Sequence, residues 1–182
     1  MISATSPDSE LAVSLWVARW LQLVPPRSSV LDVACGSGRH TRLAARLGHR
    51  VVALDRNIDA LDGIQDVSGV TTLHADIEAD EWPLAGQKFD AVVVTNYLHR
   101  PLFPRLLQSV SEVGLLIYET FALGNERFGR PSNPAFLLDP GELYERVHTS
   151  LRVLGYEDLY VETSKPAMVQ RICACGPQFL WP

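Results

Sequence analysis

The segment VLDVACGSGRHT, residues 30–41, gathers the residue types that can do chemistry. Gly36 and Gly38 let the backbone turn sharply and approach a ligand, since neither carries a Cβ. Asp32 lies just upstream of this turn. Two further acids occupy comparable places, Asp55 after the run RVVAL and Asp76 after VTTLHA. A carboxylate at Asp55 can accept both hydroxyls of a ribose, and one at Asp76 the amino group of an adenine. Three acids around a glycine turn describe a purine-nucleoside site without a phosphate clamp. A dinucleotide site wants G-x-G-x-x-G and a pyrophosphate on the next helix N-terminus. Here Thr41 replaces the third glycine. Asp32 would repel a pyrophosphate but suits an ammonium or a neighbouring sulfonium.

A second set of candidates follows two later apolar runs. FDAVVVTNYL leads into His99-Arg100-Pro101, and VGLLIYETF carries Tyr118 and Glu119 near its end. His99, as an imidazole, is the first candidate for a general base, with Glu119 second. The competing readings are a helix-capping His99 and a Glu119 paired with an arginine. Tyr97 and Arg100 stand beside them as acceptor contacts. The stretch GNERFGRPSNP holds Arg127 and Arg130, whose guanidinium forks match a carboxylate or another oxyanion. The alternative is an Arg–Glu network that only orders the loop. Cys173-x-Cys175 shares one face of a strand, but no other ligand lies at metal spacing, so packing is expected and no metal site. Trp16, Trp20 and Trp82 also read as packing groups.

These residues need elements to position them. Ser6 can cap a helix with Pro7 in its first turn, and Leu11, Leu15, Trp16, Trp20 and Leu23 recur at helical spacing up to Pro25-Pro26. Strands are expected over 29–35, 50–56, 70–77, 89–98 and 113–121, with helices after the first, second and fourth. Residues 122–138 show no periodicity, and a loop of that length inside a compact domain is usually functional. Asp139-Pro-Gly-Glu142 reads as a capping box with Pro140 in the first helical position. YEDLYVETS and MVQRICACG form a closing antiparallel pair around Lys165-Pro166. The alternation predicts an α/β, doubly wound sheet of about seven strands, mostly parallel, with helices on both faces. One domain over 1–182 is expected, with 1–26 as an N-terminal helix packing on the core and 122–138 as an active-site loop.

Composition narrows the function classes. The net charge of -5 and the absence of a Lys/Arg block weigh against nucleic acid as partner. No basic leader precedes an apolar core at the N-terminus, and no uninterrupted run of 18 apolar residues occurs, so neither a signal peptide nor a membrane span is expected. Three cysteines, an odd number, suit free thiols in the cytoplasm.

LDVACGSG resembles the D-x-G-x-G-x-G first motif of class I S-adenosylmethionine-dependent methyltransferases, and Asp55, Asp76 and the strand rhythm extend the resemblance over nearly the whole chain. Ala34 departs from it by occupying the first glycine position. A-C-G-x-G versions occur in the tellurite-resistance-type branch, which this sequence looks closest to, together with bacterial relatives carrying a similar NERFGRPSNP segment. The resemblance implies a Rossmann-like fold and S-adenosyl-L-methionine as cofactor. Asp32, Gly36 and Gly38 would hold its methionine end, Asp55 the ribose and Asp76 the adenine, with Ala34, Ile77 and Asn96 alongside. It further implies methyl transfer to a small-molecule acceptor, anionic or a soft nucleophile. An RNA or protein methyltransferase, or a non-catalytic binding module, are the alternatives.

Overall fold

The computed structural model describes residues 12–79, 81–162 and 165–181. Seven strands form one sheet: β1 (Ser29–Val33), β2 (Arg50–Asp55), β3 (Val70–His74), β4 (Phe89–Thr95), β5 (Val110–Phe121), β6 (Arg152–Val161) and β7 (Ala167–Cys175). Their order is β3-β2-β1-β4-β5-β7-β6. β1 to β5 pair in parallel, and β7 inserts antiparallel between β5 and β6. The expected closing pair is therefore present, with its second strand lying inside the sheet. The strand order reverses at the β1/β4 junction, where a crevice opens beyond the strands' carboxyl ends.

Val92, Val93 and Val94 are at most 1% exposed, as their uninterrupted run requires of a strand covered on both faces. Alternation divides the core between those faces. Leu31, Val33, Val92, Val94, Leu116 and Tyr118 meet helices α4 (Phe103–Ser109) and α5 (Glu142–Val147). Val30, Ala91, Val93, Leu115, Ile117, Cys173 and Cys175 meet α1 (Leu15–Leu21) and α2 (Arg39–Arg46). Each fully buried aliphatic side chain contributes about 1.5–3 kcal/mol. Trp16, Trp20 and Trp82 are packing groups, and all three cysteines are free thiols.

Several boundaries differ from expectation. α1 begins after Ser14, whose hydroxyl accepts from Val17 N–H; the Ser6 cap, Pro7 and Leu11 lie outside the described residues. The helix after β2, α3, is short (Ile58–Asp62). β3 ends at His74, so Asp76 stands in the turn beyond it. Pro140 lies before α5, whose first residue is Glu142. Half of the capping box survives, for the Asp139 N–H donates to Glu142 Oε2 at 3.0 Å. The 122–138 segment is ordered by two 3-10 turns, Asn125–Arg127 and Pro134–Phe136, and by a bridge between Ala122 and Leu138. No helix among the described residues is long and apolar enough to cross a membrane.

Candidate functional site

β1 delivers Asp32 to the base of the glycine turn, where it is 2% exposed. The Thr41 hydroxyl donates to its Oδ2 at 2.6 Å, while Oδ1 has no hydrogen-bond partner among the described residues. Burial pushes the carboxyl pKa up to about 6, against the pull of Thr41 and Arg39. The chain then turns through Ala34, Gly36 and Gly38 with φ of 51°, 54° and 77°. An Ala in that left-handed region carries about 1–2 kcal/mol of strain. At Gly38 a Cβ would also meet Ile64 Cγ2 at 2.6 Å, so space and backbone both require glycine there.

Asp55 closes β2 and fastens the turn. Its Oδ2 accepts the Gly36 N–H and its Oδ1 the Asn57 N–H, both at 2.8 Å. Each carboxylate oxygen keeps a further lone pair for a ligand. Asp76 Oδ1 accepts the Glu78 N–H at 3.0 Å, and Arg56 stands 3.9 Å from Oδ2. After β4, Asn96 takes φ 54° and donates its N–H to the Glu119 carbonyl at 2.9 Å. The Tyr97 hydroxyl donates to Glu78 Oε1 at 3.1 Å, which ties the β3 and β4 loops together. Burial and the Glu78 carboxylate raise the Tyr97 pKa well above the usual phenol range.

These groups surround a cleft of about 400 Å³. The ends of β1, β2 and β3 supply Ala34, Asp55, Asp76 and Ile77; the end of β4 supplies Asn96, Tyr97 and Leu98. Thr120 and Phe121 come from β5, and Pro131 and Phe136 from the 122–138 loop. Six of the residues singled out in the sequence therefore meet in one cleft, with Asp32, Gly36 and Gly38 building the turn behind Ala34.

The remaining candidates are placed otherwise. Glu119 alternates with the cleft-lining Thr120 and points to the α1 face, where Arg171 Nη1 lies 3.4 Å from its Oε2. Its carboxylate is part of an ion pair. Arg100 is likewise occupied: Nε and Nη2 grip Glu142 at 2.8 and 2.7 Å, and Nη1 and Nη2 donate to the Ala135 and Leu137 carbonyls at 2.9 and 2.8 Å. It is a strut fixing the loop to α5. Arg127 and Arg130 are exposed and line no part of the cleft; Arg127 lies over Phe128, 5.9 Å from the ring centre. His99 caps the Arg100–Leu102 turn with its backbone carbonyl, and its side chain is not among the cleft's lining.

Sequence reasoning missed Glu78, Thr120, Asn125 and His40. Period-two alternation along β5 carries the signal for Thr120, since Glu119 and Thr120 cannot face the same way. Asn125, 2% exposed, staples the loop by donating to the Pro131 carbonyl and accepting from Met168 N–H. His40, 3% exposed, accepts the Ser14 N–H at Nε2 and so presents Nδ1–H to the Thr95 hydroxyl at 3.1 Å. Burial, with Arg39 beside it, lowers its pKa to about 3, so the ring stays neutral.

A parallel sheet with one reversed strand near its edge, a glycine turn at the switch point and an acid-rimmed cleft define the class I methyltransferase fold. Residues 30–114 match the family model of a methyltransferase domain. No curated protein matches the chain in sequence. Among solved structures it is similar to TehB from Haemophilus influenzae, at 19% identity and TM-score 0.76, over 91% of this chain and 63% of that one. It thus spans less than two thirds of that protein. A TehB-like protein from Corynebacterium glutamicum gives 17% and 0.66, over 88% of this chain and 87% of that one. The N-methyltransferase NodS from Bradyrhizobium japonicum gives 15% and 0.67, over 89% and 94%. At such identities the likeness is one of fold. The methyltransferase-domain match covers a little under half of the chain, the part that carries β1 to β4 and the glycine turn.

Proposed function

We propose that the protein transfers the methyl group of S-adenosylmethionine to a small acceptor. The observation that carries this reading is Asp32 Oδ1, a buried carboxylate oxygen without a partner beside a glycine turn. A desolvated carboxylate is an unfavourable resident until a cation arrives, and the ammonium of the methionine moiety is such a cation. Asp55 keeps lone pairs for the ribose hydroxyls and Asp76 for the adenine amine, with Ala34, Ile77 and Asn96 beside them. When bound, the cofactor supplies a methyl carbon already activated by its sulfonium. The chain's own contribution is to align an acceptor and exclude water.

The acceptor is a small, soft nucleophile. The cleft of about 400 Å³ has to hold the cofactor as well, which leaves a small remainder for the acceptor. The anionic alternative drew on Arg100, Arg127 and Arg130, none of which lines the cleft. His99 and Glu119 receive no proton-transfer role in this reading, and a soft nucleophile needs none. Unpaired cysteines support a cytoplasmic setting. Calorimetric titration with S-adenosylmethionine tests the premise, and no heat at millimolar ligand would end it. S-adenosylhomocysteine formation against pools of small nucleophiles then tests turnover.

A further inference from the structure

Part of the cleft is left unassigned by the cofactor contacts. Thr120 is 1% exposed and lines the cleft. Its hydroxyl makes no hydrogen bond to any described residue. The hydroxyl is not one of the sealed unpartnered groups of the interior, and Thr120 is open to the ligand space that it lines. Leu98, Phe121, Pro131 and Phe136 also line the cleft and are all apolar. Pro131 and Phe136 are held there by Asn125 and Arg100, so the loop's fixed shape maintains this apolar wall. The charge balance of the lining is one-sided: Asp55, Asp76 and Glu78 against Arg56, itself 3.9 Å from Asp76.

We infer that Thr120 with Leu98, Phe121, Pro131 and Phe136 forms the acceptor subsite, and that it takes an uncharged nucleophile with an apolar body. This rests on the methyl-transfer reading above. The acceptor's N–H or S–H donates to Thr120 Oγ1, and its carbon skeleton covers the apolar wall. The acceptor lone pair forms the bond to the methyl carbon while the carbon–sulfonium bond breaks, its electron pair staying on sulfur. The surplus proton of the methylated acceptor leaves to water. Anions are disfavoured because the described lining carries three carboxylates against the one arginine, Arg56, which stands beside Asp76.

The test uses the full chain saturated with S-adenosylhomocysteine and matched probes titrated by ligand-detected saturation-transfer NMR. Aniline and butane-1-thiol are the uncharged probes; 4-aminobenzoate and 3-mercaptopropionate are their anionic counterparts. The uncharged member of each pair should bind about tenfold more tightly. Thr120→Val should weaken it by about threefold or more, and Thr120→Ser should retain it. Phe136→Ala, on a side chain 52% exposed and so safe for the fold, should also weaken it by about threefold or more. Affinity for S-adenosylhomocysteine should hold within about twofold in every variant. Equal or tighter binding of the anions, no binding of the uncharged probes, or indifference to both Thr120→Val and Phe136→Ala overturns the inference. Failure of the unmodified chain to bind S-adenosylhomocysteine overturns the cofactor reading instead.

Discussion

Replacing Asp32 by Asn removes a charge that the fold buries at a cost. Burial raises the native carboxyl from 3.8 to about 6. Between those values the native state holds a proton that the unfolded chain has released, so stability falls as pH rises through the window. A shift of about 2 units at 1.36 kcal/mol each gives about 3 kcal/mol, complete above about pH 6 and absent below about pH 4. Asn has no such linkage. Its buried amide costs about 1–3 kcal/mol if it finds no acceptor, but equally at every pH. The variant minus wild-type difference in unfolding free energy should therefore move by about 3 kcal/mol in the variant's favour between about pH 4 and 7. Urea denaturation followed by circular dichroism, with and without S-adenosylmethionine, measures it. With the cofactor present the order reverses, since its ammonium stabilises the carboxylate and Asn should bind it about 10- to 100-fold more weakly. A difference flat across pH, or unchanged cofactor affinity, refutes the assignment of Asp32.

Gly38→Ala combines the 2.6 Å contact with Ile64 and φ of 77°. It should cost about 2–5 kcal/mol, of which Ile64→Ala in the same chain recovers only the steric share; full recovery in denaturation curves would show that backbone strain is absent. Ala34→Gly, at φ 51°, should leave cofactor affinity unchanged and shift stability by about 1 kcal/mol or less, because relief of strain is offset by chain entropy. Glu142, held by Arg100 and Arg146, has its pKa lowered to about 2, although burial alone would raise it. The stability advantage of wild type over Glu142→Gln should then be present above about pH 4.5 and fade as pH falls toward 2, read by acid titration of the circular dichroism signal. The double variant Arg127→Ala/Arg130→Ala should fold normally and leave acceptor KM unchanged, since neither residue lines the cleft; a rise of about fivefold or more would restore them as substrate anchors.

What the chain revealed in advance, and what it withheld, follows the range of the interactions involved. Strands β1, β2 and β4 were readable because burial on both faces demands unbroken apolar runs, and Val92 to Val94 supply one. The three acids could be placed because each sits at or near a strand's carboxyl end: Asp32 within β1, Asp55 closing β2 and Asp76 two residues beyond β3. The insertion of β7 between β5 and β6 was not, because strand order depends on cross-strand pairing such as Ile117 with Cys173 rather than on local pattern. The role of Arg100 was equally hidden, since its partner Glu142 lies 42 residues away. Glu142 itself was seen as a capping residue; it is that and an anchor for two arginines.

The contrast between Arg100 and Asp32 shows how the two kinds of charged residue can be told apart. Arg100 spends its donors on Glu142 and two loop carbonyls, so a ligand anion would have to break bonds already made. Asp32 is more deeply buried yet leaves Oδ1 without a partner among the described residues, and Thr120 lines the cleft at the neighbouring strand ends. Buried polar groups are otherwise almost always satisfied in a native fold. An unsatisfied one behind the cleft is a candidate for a ligand, whereas Trp20 Nε1, His49 Nδ1 and Ser111 Oγ are unpaired on residues that line no part of it, and a saturated one holds the frame. By that criterion Arg100 fastens the loop behind the cleft, Arg127 and Arg130 lie outside it, and Asp32 and Thr120 are the groups proposed to meet the ligands.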